Sequence, residues 1–178
     1  MPPSSPTEPP SVHDRARRWQ PVTLYFSISL SGWGPDANPY VQTQVEVTWR
    51  HDLTGREIVR PAYWCGGERF AVRFASPEAA GSWQWAVSAN GQASATSRGT
   101  LEMTPGKPAD AFEAYGPLKM SVDGRSVVHH DGRSFLMVAD TPWALPFRAT
   151  PETALQYAAD REAKGFNAAL LMVVQPDM

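Results

Sequence analysis

Short segments in which apolar and polar residues alternate fill residues 19–104, and this pattern constrains the fold more than any other feature. Successive side chains of a β-strand point to opposite faces, so alternation predicts strands with one buried face. Turn residues separate the segments about every 8–15 residues, as in an antiparallel β-sandwich of the immunoglobulin-like kind. The predicted strands are Val22–Leu30, Val41–Trp49, Arg56–Trp64, Arg69–Phe74, Ser82–Ser88 and Gly99–Met103.

The composition supports a turn-rich, mainly β fold and narrows the partners. The chain has 13 glycines and 17 prolines among 178 residues, a share of about 17% against an average of about 12%. A net charge of −2 argues against binding nucleic acid or an anionic membrane through bulk charge. No apolar run approaches the roughly 20 residues that span a bilayer.

The first 18 residues have the composition of a solvated, disordered tail. Five of the first ten are proline, and a basic cluster (Arg15, Arg17 and Arg18) follows. A secretory signal would place an apolar segment after its basic residues, and none is present. We therefore expect a tail over residues 1–18 and, by default, a cytoplasmic protein.

The architecture is predicted to change after residue 104. Residues 105–117 have the character of a linker, and Asp123-Gly124 then predicts a short hairpin. Two continuous apolar runs, Ser134–Ala139 and Ala168–Val174, enclose a helix expected to begin after Thr150. This β-α-β pattern predicts parallel strands buried on both faces. We expect residues 118–178 to be the incomplete start of a (β/α)8 barrel, which needs about 250 residues in full.

Trp83 and Trp85 allow two interpretations. At positions i and i+2 they share one face of a strand, so they could form a flat platform on which a sugar ring stacks. Alternatively they face the opposite sheet as core aromatics. A small sandwich needs the buried area that indole rings supply, which favours the core.

Two groups of motifs resemble the apiosidase-like glycoside hydrolases. The first group resembles the β-sandwich domain that precedes the catalytic barrel of this family: Tyr63-Trp-Cys-Gly-Gly67, Phe70-Ala-Val-Arg-Phe74 and Gly81-Ser-Trp-Gln-Trp85. The second group resembles the opening of the barrel: Gly116-Pro-Leu-Lys119, His130-Asp-Gly132, Phe135-Leu136, Ala139-Asp-Thr-Pro-Trp143 and Arg161-Glu-Ala-Lys-Gly-Phe-Asn167. Together they cover about residues 19–175. The resemblance implies a carbohydrate substrate, with plant-type polysaccharide side chains suggested by the family.

Cys65 departs from the family pattern, which usually has an aspartate at this position. As the single cysteine of the chain, it cannot form an intrachain disulfide. We expect a buried, inert thiol, because a free cysteine often packs as a small apolar residue.

Asp140 and Trp143 are the candidate substrate-binding residues. Strand ends form the active site of a (β/α)8 barrel, and Asp140 ends the first predicted barrel strand. The resemblance implies that it binds substrate, and its carboxylate could accept hydrogen bonds from two sugar hydroxyls. Trp143 could add a stacking face. The alternative for Asp140 is a capping role, and Gln175 and Asp177 share the rim of the second strand without motif support.

No catalytic residue, metal site or cofactor is predicted. Glycoside hydrolysis needs two carboxylates, and the family is expected to carry them on later barrel strands, so we expect these 178 residues to be inactive alone. His129 and His130 are adjacent on a strand and point to opposite faces, so they cannot chelate one ion. Arg161, on the helix, is interpreted as a structural ion-pair or cap residue remote from the strand ends.

These observations leave two main hypotheses. The first is the N-terminal portion of a carbohydrate-active glycoside hydrolase. The second is a stand-alone β-sandwich module that binds carbohydrate or another protein, followed by a vestigial α/β segment.

Overall fold

A computed structural model describes residues 14–29, 38–90 and 92–173 of the chain. Backbone contacts divide it into two units, Met1–Pro117 and Leu118–Met178. The predicted strand end at Leu30 and the rim residues Gln175 and Asp177 lie outside the described residues.

The first unit consists mainly of two β-sheets. A sheet of five strands has the order β1-β8-β7-β3-β4, and a sheet of three has the order β2-β6-β5. Neighbouring strands are antiparallel, except that β1 pairs with β8 in parallel. The strands are β1 (Arg15–Ala16), β2 (Pro21–Ser27), β3 (Val45–His51), β4 (Glu57–Pro61), β5 (Tyr63–Trp64), β6 (Arg69–Ala75), β7 (Ser82–Ala89) and β8 (Gln92–Met103); the helices are α1 (Pro39–Gln42) and α2 (Ala111–Tyr115).

The alternation read from the sequence produces one core shared by the two sheets. Val22 and Leu24 of β2 are buried in it together with Val47 of β3. The rings of Trp49 on β3 and Phe74 on β6 stack with centroids 4.1 Å apart, which joins one sheet to the other. The prediction of a mainly β protein with antiparallel sheets is confirmed.

Trp83 is a core residue, and the paired-tryptophan platform is therefore wrong. Trp83 is completely buried, and its indole N–H donates a 2.8 Å hydrogen bond to the hydroxyl oxygen of Ser76. Trp85 is half-buried against the same core. Its ring lies so close over Gly99 that an added Cβ there would be 2.7 Å from it. Both indoles are thus directed inward by the register of the sheet.

The segments expected to be a tail and a linker are partly built into this unit. β1 pairs with Glu102 and Met103 of β8, and Ala16 is buried. Arg17 forms an ion pair of 2.9 Å with Glu113 on α2. The disordered tail predicted for residues 1–18 is therefore wrong for residues 14–18, because backbone pairing and this ion pair hold them, and α2 interrupts the predicted linker.

Cys65 is exposed, so the prediction of a buried thiol is wrong. It lies in the tight turn between β5 and β6, where its backbone N–H donates to Arg69 over 2.8 Å. Gly66 follows with a φ of 101°, which an L side chain rarely adopts. The turn leaves the cysteine side chain at the surface, where its Sγ lies 3.8 Å from Tyr63 O.

The second unit contains a hairpin and a β-α-β arrangement. β9 pairs with β10 in antiparallel orientation around Asp123-Gly124, as predicted. β11 pairs with β12 in parallel, with α4 between them in the chain. The elements are β9 (Leu118–Met120), β10 (Val127–His129), β11 (Ala139–Asp140), α3 (Leu145–Arg148), α4 (Pro151–Ala163) and β12 (Ala168–Ala169).

The start of α4 follows the sequence signals closely. Thr150 caps the helix and forms a reciprocal capping box with Thr153, and Pro151 takes the first turn. The Thr150 side chain accepts one of the backbone N–H groups that a helix start leaves without partners, and Pro151 has no backbone N–H. The helix predicted between the two apolar runs is confirmed.

The two parallel strands are shorter and more exposed than the apolar runs predicted. Leu136 retains 80% of its exposure, and Leu170 retains 56%. Asn167 extends the pairing, since its side chain accepts a hydrogen bond from Val138 N and donates one to Leu136 O. In the described part of this unit, two short strands and one crossover helix leave these apolar side chains uncovered.

Candidate functional site

Asp140 is the last residue of β11, at the carboxyl end of a strand in a parallel pair. Leu170 N donates to Asp140 O over 2.9 Å, and Met172 N donates to Trp143 O over 3.1 Å. The backbone after the strand is therefore tied to the chain that follows β12. Carboxyl ends of parallel strands are where α/β folds place their ligands.

The carboxylate of Asp140 is bound by the crossover helix α4. Tyr157 donates its hydroxyl hydrogen to Oδ2 over 2.8 Å, and Arg161 Nη1 donates to the same oxygen over 3.3 Å. Oδ1 accepts the backbone N–H of Thr141 over 2.7 Å. The side chain is thus directed at the helix, and of the two oxygens only Oδ1 keeps an acceptor position for a further donor.

These contacts keep Asp140 ionised. The hydrogen bond from Tyr157 lowers the pKa of Asp140, and the Thr141 N–H and the charge of Arg161 lower it further. Burial, together with the hydrogen bond to Asp140, raises the pKa of Tyr157. At neutral pH the pair is a carboxylate and a neutral phenol. Asp140 can therefore accept hydrogen bonds but has no proton to donate.

Arg161 connects Asp140 to a second carboxylate. Its Nη2 lies 2.7 Å from an oxygen of Asp160, and Lys164 Nζ lies 2.7 Å from the other oxygen of Asp160. Both cations lower the pKa of Asp160, chiefly through the hydrogen bond from Lys164. The predicted ion-pair role of Arg161 is confirmed. Its predicted remoteness from the strand end is wrong, because the side chain reaches Asp140.

Trp143 lies three residues beyond Asp140 and is 50% exposed. Its backbone N–H donates to Thr141 O over 2.8 Å, so a tight turn fixes its position relative to the strand end. Among the described residues, no hydrogen bond or ring contact joins the side chains of Asp140 and Trp143. Asp140 thus ends the strand, and Trp143 lies in the loop that follows it.

A cavity of about 580 Å³ adjoins the helix side of this site. Tyr157 and Arg161 line it together with Leu145, Phe166 and Leu171. The guanidinium carbon of Arg161 lies 5.5 Å from the Tyr157 ring centre and 5.4 Å from that of Phe166. Aromatic packing on this scale holds a cation in place, so Arg161 is fixed where it meets Asp140.

Sequence reasoning did not select Tyr157 or Asn167. Tyr157 and Arg161 are four residues apart and so share one face of α4, a signal that was present in the sequence. Asn167 ended the family-like motif that begins at Arg161. Its side-chain amide makes hydrogen bonds to the backbone of the neighbouring strand segment. This role depends on where the chain lies after the helix.

Other predicted features lie away from this site or are not found in the described ranges. His129 is buried at the end of β10, and His130 is exposed in the turn that follows, so the two do not share one strand, contrary to the prediction. Within residues 14–29, 38–90 and 92–173, no group of three or more His, Cys, Asp or Glu side chains could hold a metal ion. None of the helices in that part of the chain has the length and apolar character to cross a membrane.

Comparisons with known proteins agree with the predicted resemblance. Residues 15–90 match the family described as a domain of unknown function, DUF5060. Residues 121–178 match the family described as "Apiosidase-like, catalytic domain". A comparison with curated proteins found no match.

A solved structure shares the fold. It is described as a "putative glycoside hydrolase" from Bacteroides vulgatus, with a TM-score of 0.68 over 93% of this chain at 17% identity. The chain spans 29% of the length of that protein.

The family matches and this fold make the chain glycoside-hydrolase-like. More particularly, residues 121–178 are similar to the apiosidase-like catalytic domains, which confirms the resemblance stated from the motifs.

Proposed function

We propose that the chain contributes to a carbohydrate-active glycoside hydrolase, in which its second unit supplies the first β-α-β of a (β/α)8 barrel. Asp140 and Trp143 bind the substrate at the rim, and the substrate class is the side chains of plant-type polysaccharides. The first unit is an immunoglobulin-like sandwich. The family matches and the shared fold support this function.

The ionised carboxylate at the end of a parallel strand carries the proposal. Tyr157, Arg161 and Thr141 occupy three of the roughly four acceptor positions of Asp140. They also fix its direction, so little rotamer entropy is lost when a sugar hydroxyl donates to the remaining position. Trp143, half exposed and held by its backbone, offers a ring face to the same sugar.

Exposed apolar side chains support a larger barrel around this unit. Leu136 and Val173 keep 80% and 81% of their exposure. Large exposed apolar side chains favour packing against another element. We infer that further βα units cover these side chains and carry the two carboxylates that hydrolysis needs. Asp140 is a substrate-binding residue in this proposal and takes no part in proton transfer.

Isothermal titration of the chain with an apiose-containing oligosaccharide from plant cell walls tests the proposal. Asp140→Asn keeps the shape of the side chain and removes its charge. We expect it to weaken binding at least about tenfold, as for loss of a charge-assisted hydrogen bond. Trp143→Ala should weaken binding to a similar extent, and Trp143→Phe should retain most of it.

Asp160→Asn is the matched control. Asp160 also contacts Arg161 but lies on the helix, so its loss should change the affinity less than about twofold. Equal effects of the two Asp→Asn substitutions would show that disturbance of Arg161, and not sugar binding by Asp140, accounts for the loss. Wild-type chain that binds no oligosaccharide would contradict the proposed site.

A further inference from the structure

A second cavity, in the first unit, combines aromatic walls with positive charge. It has a volume of about 340 Å³ and is lined by Trp19 and Phe112 together with Arg60 and Arg73. Phe74 also borders it, but the Phe74 ring is buried in the core. We call it the Trp19 cavity. Its volume lies at the lower end of the range for small-ligand sites, about 300–1,000 Å³, and fits one or two sugar rings. None of the functions proposed above uses it.

Trp19 adopts a backbone conformation that is unfavourable for its side chain. Its φ is 61°, in the left-handed region that a bulky L residue rarely enters. The backbone is held there because Trp19 N donates to Ser76 O over 2.8 Å and Gln20 N donates to Arg17 O over 3.1 Å. Strain of this kind costs free energy and clusters at ligand sites. Here it directs an indole into a cavity.

The two arginines give the cavity a positive potential. Arg73 follows buried Val72 on β6 and points away from the core, with its guanidinium carbon 5.7 Å from the Tyr63 ring centre. Arg60 donates one hydrogen bond, to Val59 O over 3.1 Å. Among the described residues that line the cavity, none is acidic. Two like charges without a counter-charge favour an anionic ligand.

The hydrogen-bonding capacity of Arg73 is unused within the described part of the chain. The guanidinium of Arg73 lies near the face of the Tyr63 ring, and this cation–π contact leaves its N–H groups free to donate hydrogen bonds. A planar guanidinium presents paired donors that match the two oxygens of a carboxylate. The net charge of −2 gives the chain no general attraction for polyanions. Recognition at this cavity must therefore be local.

We propose that the Trp19 cavity binds a carboxylate-bearing sugar, a uronic acid unit of an acidic polysaccharide. The Trp19 and Phe112 rings contact the apolar face of the sugar, and Arg73 and Arg60 bind its carboxylate. The proposal depends only on residues of the first unit, so it stands or falls independently of the role proposed for Asp140.

Titration of the 178-residue chain with tri-galacturonic acid, and with its fully methyl-esterified form, tests the charge requirement. The ester keeps the rings and removes the charges. We expect the acid to bind at least about tenfold more tightly than the ester, because the paired charge-assisted hydrogen bonds are lost. Acetate at the same carboxylate concentration should bind more weakly than the trisaccharide, because it offers no ring to the indole.

Two substitutions and a matched control locate the site. Arg73→Gln should weaken binding of the acid at least about tenfold. Arg98→Gln, at an exposed arginine on β8 outside the cavity, should change it less than about twofold. Trp19→Gly removes the ring at a φ that glycine accepts, so it should weaken binding while the melting temperature shows that the fold is kept.

Several results would overturn the proposal. Equal binding of acid and ester would exclude carboxylate recognition. Equal losses from Arg73→Gln and Arg98→Gln would indicate general electrostatic attraction instead of this cavity. Absence of measurable binding by the wild-type chain would also refute it. None of these results bears on Asp140→Asn, which is measured with a different oligosaccharide.

Discussion

Tyr157 and Asp140 are joined by a 2.8 Å hydrogen bond from the phenol of a crossover helix to the carboxylate at the end of a parallel strand. The bond does two things at once. It orients the carboxylate, and it stabilises its charged form, so that the pKa of Asp140 is lowered. The same relationship connects the packing of α4 to the chemistry at the rim of the strand.

Tyr157→Phe is expected to raise the pKa of Asp140 towards its ordinary value of about 3.9. The hydroxyl is the largest influence that lowers it, and phenylalanine keeps the ring without the donor. Carbon-detected NMR of the Asp140 carboxyl over a pH titration measures the shift. Tyr63→Phe, in the first unit, is the control. An unchanged titration in Tyr157→Phe would show that Thr141 and Arg161 alone hold the carboxylate.

Asp52 is expected to make the first unit less stable in acid. The Ser82 backbone N–H, 2.9 Å away, is the main cause of its lowered pKa. A carboxyl group with a lower pKa in the folded state stabilises the fold above its unfolded pKa, about 3.9, and this contribution is lost as the pH falls through the folded pKa. The free energy of unfolding, measured with denaturant at steps of about one pH unit from pH 6 to pH 2, reports this loss.

Asp52→Asn should flatten that dependence. The amide can still accept the Ser82 N–H but does not titrate, so the stability of the variant should fall less than that of the wild type over the same pH range. An identical acid-induced loss in both proteins would assign the effect to other carboxylates.

Trp83→Ala is expected to lower the free energy of unfolding by about 3–5 kcal/mol. The indole is completely buried and donates to Ser76, so its removal leaves a void and takes one hydrogen bond from the Ser76 hydroxyl. Urea unfolding followed by circular dichroism measures the loss. Trp143→Ala, at a half-exposed tryptophan, should cost less than about 1 kcal/mol. A comparable cost at both positions would contradict the burial difference.

Gly99→Ala is expected to destabilise the five-stranded sheet by about 1–3 kcal/mol through overpacking. The added methyl group would lie 2.7 Å from the ring of Trp85. Trp85→Leu makes room for it, so the double variant should be more stable than the sum of the two single changes predicts. Chemical denaturation of the wild type, the two single variants and the double variant measures this coupling. Strictly additive losses of stability would show that the Trp85 ring moves aside without cost.

Glu113→Gln is expected to cost about 1–2 kcal/mol, between the values for surface and buried ion pairs. The Glu113 side chain is 8% exposed, while that of its partner Arg17 is 31% exposed. The loss should also speed proteolysis of residues 105–117. Glu102→Gln is the matched control, because the Arg15–Glu102 pair is 68% and 61% exposed. Equal losses of stability in the two variants would mean that burial does not increase the contribution of the Arg17–Glu113 ion pair.

Local patterns were sufficient where a structural element depends mainly on its own residues. The alternation from Val22 to Phe26, the Asp123-Gly124 turn and the Thr150 cap each predicted an element that the structure contains. Period, turn geometry and capping are properties of neighbouring residues, so a sequence displays them directly. The family motifs likewise follow the order of the chain.

The errors concern residues whose environment is supplied by distant segments. The sequence predicts a tail at Arg17, because its partner Glu113 lies 96 residues further on. It likewise predicts a buried Cys65 and an Arg161 far from the strand end. In each case the type of residue allowed both outcomes, and only the path of the backbone distinguished them.

The sequence by itself determined most of the strands, the helix cap, the resemblance to the apiosidase-like family and the choice of Asp140 and Trp143 as candidates. Only the tertiary structure decided that Asp140 is held by Tyr157 and Arg161, and that a strained Trp19 shares a cavity with Arg60 and Arg73. Secondary structure follows from short-range sterics and hydrogen bonding. A binding site depends on side chains from separate elements meeting in space, and packing alone sets those distances.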